Sequence, residues 1–324
     1  MNSRVIRFLA TVGLSTRICY DANLIENCLC LFENLFCIFK QMHPGNTKRR
    51  YSNWETKTML DLSMVTLLCV DSRSPELATW ALKKCLQDAR FEKTVLFTDK
   101  SKISTFDDSI EYVACPSISS TREYSEFMLR GITPYVEGSH VLIIQWDGFI
   151  LRPDLWNPCF LDYDYIGAVW PQYSHLKVGN GGFSLRSLKL LKAMQDPQIT
   201  IHHPEDFCIC KTNRTLLENN FDITFATEEI ADSFSVERGE WHECFGFHGF
   251  FNFANALPAE ELHEFIRDVP TDCCGGVDCY DLIDRLREIG NSEAAMALFQ
   301  KCRWNRKTTK RFLSAWIRSK TTGF

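Results

Sequence analysis

The chain has 324 residues, room for one large domain with extensions or for two domains. Its 45% hydrophobic content supports an ordinary core, and its net charge of −5 supplies no basic field, which argues against a dedicated nucleic-acid binder. The 15 cysteines are odd in number and scattered, and Arg4 and Arg7 interrupt the first residues with no apolar run behind them, so reduced thiols and a cytoplasmic location are expected rather than a disulfide framework.

Residues 21–42 read as an amphipathic helix, with Leu24, Ile25, Cys28, Leu29, Phe32, Leu35, Phe36 and Phe39 on one face, Asp21 as N-cap and Pro44-Gly45 as its end. Its apolar run is interrupted by Glu33 and Asn34, too early for a membrane span. The polar face carries Glu26, Asn27, Glu33 and Asn34, whereas a helix lying on a membrane surface is usually basic. Packing against the main domain or a protein partner is therefore favoured over peripheral membrane docking. With the polar stretch after Pro44 as linker, residues 1–58 form an N-terminal extension.

A main domain follows over 59–257. Residues 64–70 read as a buried strand ending at Asp71, Pro75 opens a helix to about Ala89, and residues 93–97 form a second strand ending at Asp99. A helix over 121–129 leads to the strand 140–144, whose run Val141-Leu-Ile-Ile144 is apolar throughout. This alternation predicts an α/β fold with a mixed, mostly parallel sheet flanked by helices. Such continuous runs belong at a sheet centre. Gln145-Trp146-Asp147-Gly148 follows at the strand's carboxyl end, where open α/β sheets bind ligands. Asp147 either caps a turn before Gly148 or ligates a hard divalent cation. Asp71, Asp99 and Asp147 end three successive strands, so three carboxylates could share one edge.

Beyond Asp147 the periodicity weakens. Asp162-Tyr-Asp-Tyr-Ile-Gly-Ala-Val-Trp-Pro171 is aromatic and acidic. Val178-Gly-Asn-Gly-Gly-Phe-Ser-Leu-Arg186 places Gly181 and Gly182 before a short apolar turn into a helix at 187–194; it is either a tight bulged turn or a close approach of backbone to a ligand. The spacing is neither a dinucleotide fingerprint nor a P-loop. Glu205 and Asp206, after His202-His203-Pro204, either cap a helix or place a general base in the cleft. His248, between phenylalanines and before Gly249, is the histidine best placed to ligate a metal; otherwise it is a hydrogen-bonded core residue. Cys273-Cys-Gly-Gly-Val-Asp-Cys279 lacks a second paired cluster at zinc spacing.

Residues 258–324 form a helical C-terminal extension. Leu262, Phe265 and Ile266 mark one inner face; Tyr280, Leu282, Ile283, Leu286 and Ile289 mark another that ends at Gly290, and Asn291 can cap the next helix. Residues 301–320 carry eight basic residues and no acid, a solvated face or a contact for an anionic surface or acidic partner.

Gln145-Trp-Asp-Gly148, Tyr163-Asp-Tyr-Ile-Gly-Ala168 with Trp170-Pro171, and Gly179-Asn-Gly-Gly-Phe-Ser-Leu-Arg186 together resemble an uncharacterised domain family, found largely in bacteria and regarded as glycosyltransferase-like, over roughly residues 66–253. In general order the segment is also similar to metal-dependent GT-A glycosyltransferases of the fringe-like type. That resemblance implies a Rossmann-like GT-A fold, a nucleotide-sugar donor, a glycan or other hydroxyl acceptor, and Mn²⁺ or Mg²⁺. It places Gln145 and Asp147 at the Asp-x-Asp motif, Gly181 and Gly182 at the acceptor-side turn, Glu205 and Asp206 at the acidic pair and His248 at the late histidine. Asp71 and Asp99 would line the nucleotide pocket, Trp146 or Trp170 would stack on a sugar, Asp147 and His248 would hold the metal, and Asp206 or Glu205 would act as general base with inversion. Gln145 departs from the motif, being neutral where the first acid stands. A non-catalytic nucleotide- or glycan-binding accessory protein of the same fold is the alternative, and a metal-dependent phosphoesterase ranks below it.

Overall fold

The computed structural model describes residues 59–115 and 118–302. The helix expected over 21–42 and almost all of the basic tail lie outside the described residues. The chain divides into two units, one ending at Ala256 and one beginning at Leu257.

In the first unit β1 (Leu60–Val70), α1 (Pro75–Leu86), β2 (Ala89–Thr98), β3 (Glu111–Ala114), α2 (Thr121–Glu126) and β4 (His140–Ile144) follow in order. Then come β5 (Gly148–Ile150), β6 (Tyr165–Ile166), β7 (Phe183–Ser187), α3 (Leu188–Ala193), α4 (Arg214–Phe221), α5 (Glu228–Phe234), β8 (Ser235–Val236) and β9 (Gly246–His248). The main sheet has the order β3-β2-β1-β4-β7-β6. The pairs β1–β2, β1–β4 and β2–β3 are parallel; β4–β7 and β6–β7 are antiparallel. This is the mixed, mostly parallel α/β sheet expected from the alternating runs. β5, β9 and β8 form a small second sheet.

All five residues of β4 are buried because the strand lies between β1 and β7 and is covered on its faces. Val141 and Ile143 pack with Leu68, Val70, Val95 and Phe97 against Met128, Ile132 and Leu191. The alternation of these positions along β1, β2 and β4 marks one common face of the sheet.

Six strands escaped the hydrophobic pattern, and β3 and β7 show why. β3 is a short edge strand whose ends, Glu111 and Ala114, are exposed, so it needs no apolar run. β7 is buried throughout yet contains Ser184, Arg186 and Ser187, and its polar side chains disguised a central strand as a turn entering a helix. The helix that follows starts at Leu188 because the Ser187 hydroxyl accepts a hydrogen bond from the Leu190 amide, an N-cap. α2 has a full capping box between Ser120 and Glu123 and runs on as a π-helical turn, Phe127–Gly131.

The second unit contains α6 (Ala259–Asp268), α7 (Val277–Glu288) and α8 (Ser292–Lys301). Leu262, Phe265 and Ile266 are buried from α6, and Tyr280, Leu282, Ile283 and Leu286 from α7. Ile289, expected on that inner face, is exposed: it follows the last turn of α7, and Gly290 at φ +78° turns the chain away. Asn291 caps α8 by accepting from the Ala294 amide. Among the described residues no helix is long and apolar enough to cross a membrane.

Candidate functional site

The site forms where β4 ends. Ile144 pairs with Phe183 in the antiparallel β4–β7 ladder, and the Gln145 amide donates to the Gly182 carbonyl at 2.9 Å. That ladder lays the Asn180-Gly181-Gly182 turn beside Gln145. On the other side Gly148 pairs with His248 across β5–β9, which brings His248, near the end of the unit, to Asp147, near its middle. A side chain at 148 would meet the Phe247 carbonyl 2.7 Å away, so glycine is needed for this approach.

Asp147 is buried. Its Oδ2 accepts from the Phe250 amide at 3.1 Å, while Oδ1 lies 3.4 Å from His248 Nε2 and makes no hydrogen bond among the described residues. His248 Nε2 is also 3.1 Å from Gln145 Oε1, and Nδ1 is 3.1 Å from Glu237 Oε1. Both hydrogen-bonded partners offer only acceptors at these atoms, so both ring nitrogens carry hydrogen and His248 is an imidazolium. Burial opposes that charge, but Asp147 and Glu237 on either side outweigh it and hold the His248 pKa well above its usual value. Reciprocally, burial pushes Asp147 up and His248 pulls it further down, leaving its carboxyl below the ordinary range. Gln145 is oriented by donating its amide to the Tyr124 hydroxyl at 3.0 Å.

The glycine turn is packed too tightly for any side chain. A Cβ at Gly182 would lie 2.1 Å from His248 Nε2, and one at Gly181 would lie 1.8 Å from Glu205 Oε1. Asn180 takes φ +64°, and its Oδ1 accepts from the Gly182 amide at 3.0 Å. Beyond the turn Asp206 Oδ2 accepts from the Gly181 amide at 3.2 Å and Oδ1 accepts from the Phe207 amide at 2.7 Å. Burial, with the neighbouring Glu205 charge added, raises the Asp206 pKa to about 6. Glu205 is ion-paired at 3.1 Å with Arg186 Nη2, and Arg186 itself is fully buried against the Tyr165 ring.

Gln145, Asp147, Gly181, Gly182, Glu205, Asp206 and His248 are thus linked through one chain of contacts. Asp71 follows β1, the strand next to β4, and its Oδ1 accepts from the Arg73 and Ser74 amides. Burial raises its pKa against those hydrogen bonds, and the Asp147 charge adds to the rise, which places Asp71 on the same edge. Asp99 sits one strand further out, at the end of β2. It is part-exposed, and its Oδ1 accepts from the Ser101 amide and hydroxyl. Trp146 packs edge-on against Phe250 at 5.1 Å. Trp170 is buried over Gly179 rather than presented as a platform.

Four participants carried no assignment in the sequence. Tyr124 and Glu237 stand outside any motif; Asn180 and Arg186 lie within the glycine motif, but only the fold shows them buried. Asn180 Nδ2 and Arg186 Nη1, like Asp147 Oδ1, are buried without a hydrogen-bond partner among the described residues. Thr79, Thr98 and Ser235 hydroxyls are the other such atoms among the described residues, and Asp147 Oδ1 keeps the His248 ion pair; the three atoms flanking the glycine turn mark polar groups left open to a further partner. Glu237 also lines a cavity of about 450 Å³ together with Val169, Pro171, Glu240, Trp241 and His242. A cavity of about 530 Å³ at Lys189, Lys192 and Phe221 shares no lining residue with the site.

Among the described residues no group of three or more His, Cys, Asp or Glu side chains is arranged to hold a metal ion. The donor set at this edge is the orphaned Asp147 oxygen, the His248 nitrogen and the neutral Gln145 oxygen. Because His248 Nε2 carries hydrogen, that set would fit Mn²⁺ or Mg²⁺ only after losing this proton and with further oxygens from a substrate, the usual way such ions are held beside phosphates.

No curated protein matches the chain. Among solved structures it is similar to a glycosyltransferase involved in glycosylation of the major capsid of PBCV-1, at 9% identity over 57% of this chain and 91% of that one, with a TM-score of 0.36. A mannosyltransferase from Pyrobaculum calidifontis, solved with GDP-Man and Mn²⁺, is 9% identical over 81% of this chain and 76% of that one, TM-score 0.35. The glycosyltransferase GlyE of Streptococcus pneumoniae is 14% identical over 79% of this chain and 63% of that one, TM-score 0.34. Residues 108–248, the segment that runs from before Gln145 to His248, match the model of an uncharacterised family described as a protein of unknown function, DUF5672.

Proposed function

We propose that the protein is a GT-A-like glycosyltransferase that moves a sugar from a nucleotide-sugar donor to a hydroxyl acceptor. The observation that carries this reading is the trio of orphaned buried atoms, Asp147 Oδ1, Asn180 Nδ2 and Arg186 Nη1, around the Gly181-Gly182 turn at the carboxyl edge of the sheet. The motif resemblance to glycosyltransferases names the chemistry that such a site serves.

Asp147 and His248 would hold Mn²⁺ or Mg²⁺, with His248 releasing its Nε2 proton, and a bound cation would offset charge on the leaving diphosphate. Gln145 supplies a neutral oxygen to the same point. Asp206, raised toward neutrality yet still ionised at pH 7, takes the proton of the acceptor hydroxyl. The acceptor oxygen then attacks the anomeric carbon as its bond to the diphosphate breaks, with inversion. The Gly181 and Phe207 amides keep Asp206 in place, Arg186 holds the neighbouring Glu205, and Asp71 borders the nucleotide side. The cavity bounded by Trp241 and Glu237 has the volume and the aromatic wall for a monosaccharide acceptor.

The test is incubation with UDP-, GDP-, CMP- and dTDP-sugars, with Mn²⁺ or with chelator, following nucleotide release. Release from one donor that disappears with chelator and in Asp147→Ala supports the reading. Release that survives chelator removes the metal role.

The second reading is a non-catalytic nucleotide- or glycan-binding accessory of the same fold. The His248 imidazolium favours it, because an ion pair with Asp147 neutralises the carboxylate without any cation. Nucleotide-dependent thermal stabilisation with no release from any donor would select this reading.

A further inference from the structure

The second unit gathers three buried thiols from separate stretches. Cys279 lies in the first turn of α7, Cys302 follows the last residue of α8, and Cys274 precedes α7 in the Cys273-Cys-Gly-Gly loop. Cys279 Sγ is 3.4 Å from Cys302 Sγ, and Cys274 is an electrostatic neighbour of Cys279. Cys274 Sγ also contacts the Pro270 carbonyl at 3.4 Å. All cysteines among the described residues are free thiols. None of these three takes part in the site around Asp147.

We propose that Cys279 and Cys302 form an oxidation site that takes a hydroperoxide and closes to a disulfide. Cys302 is 8% exposed, whereas Cys279 is 1% and Cys274 0% exposed, so a small oxidant reaches Cys302 first. The Cys302 sulfur attacks the peroxide, whose O–O bond breaks, giving a sulfenic acid and one alcohol or water. Cys279 sulfur then attacks that sulfur, an S–S bond forms, the S–O bond breaks, and water leaves with the Cys279 hydrogen. Two thiols and one hydroperoxide thus yield one disulfide, one alcohol or water, and one water. The two sulfurs must close to a bond length of about 2.05 Å. The turn of Cys279 follows Gly275-Gly276, where Gly276 has φ +89° and open space at the position of a Cβ. The bond would fasten the end of α8 to α7 where the basic stretch of residues 303–320 begins.

The full chain is treated with hydrogen peroxide, blocked with N-ethylmaleimide, digested and mapped by mass spectrometry. A peptide pair joining Cys279 to Cys302, lighter by two hydrogens and separated by dithiothreitol, is the expected product. In Cys302→Ser, Cys279 should keep its alkylation at peroxide doses that fully cross-link the wild type. Both residues remaining alkylated in oxidised wild-type protein overturns the proposal, as does a link from Cys279 to any other cysteine. Equally fast loss of Cys279 alkylation in Cys302→Ser overturns the order of attack.

Discussion

Replacing Asp206 with asparagine separates a functional carboxylate from a structural one, because the two roles predict opposite changes in stability. The native pKa is about 6 against an ordinary 3.8. The folded state therefore binds this proton more tightly than the unfolded state, so stability is highest when Asp206 is protonated and is lost as pH rises from 3.8 through 6. At about 1.36 kcal/mol per pKa unit the difference is about 3 kcal/mol. Asp206 is only partly buried, and solvent screening brings the usable figure to roughly 1–2 kcal/mol. Asparagine removes the charge but keeps one oxygen, so it can accept from only one of the Gly181 and Phe207 amides, and its NH2 group faces the other. The lost hydrogen bond costs about the same at every pH, so relative to wild type Asp206→Asn should gain roughly 1–2 kcal/mol of stability between pH 4 and pH 7.5, a relative melting shift of about 2–6 °C. Sugar transfer should fall by about 100-fold or more with the base gone. In the wild type, transfer should climb with pH through about 6 and level off above it. Thermal melts at pH 4, 6 and 7.5, paired with a donor-turnover assay, read both effects. A variant whose stability relative to wild type does not rise between pH 4 and pH 7.5, or one as active as wild type, would refute the reasoning.

Further outcomes follow from the same geometry. Asp147→Ala strands the His248 imidazolium beside Glu237 alone and should end donor turnover and cost about 3–5 kcal/mol of stability, read by urea unfolding. Asp147→Asn, keeping an acceptor for the Phe250 amide, should lose turnover at a smaller stability cost. Gly182→Ala places a methyl 2.1 Å from His248 Nε2 and should cost about 1–3 kcal/mol in melting experiments while lowering Mn²⁺-dependent turnover more than tenfold. Trp241→Ala should raise the acceptor KM with kcat nearly unchanged, since the ring borders the cavity and touches none of the catalytic carboxylates; a pure kcat loss would put the acceptor elsewhere.

The sequence by itself determined the sheet class and singled out most of the residues that the fold gathers at the candidate site. Apolar runs ending in carboxylates identified β1, β2 and β4, because strands buried on both faces cannot hide their composition. Gln145-Trp-Asp147-Gly148, the glycine motif, Glu205-Asp206 and His248 were each visible as local oddities of a chain otherwise explained by periodicity. Their convergence was not visible. β7 was masked because its interior positions include Ser184 and Arg186, polar groups satisfied only by partners distant in sequence. Glu237 gave no signal, since its meaning is the hydrogen bond to His248 made when β8 pairs with β9. Likewise the Cys279–Cys302 contact belongs to no spacing rule and arises from α7 packing on α8. Local composition decides which segments are strands and helices because burial acts residue by residue. Only tertiary structure decided which polar atoms meet, because that depends on the pairing order of strands far apart in the chain.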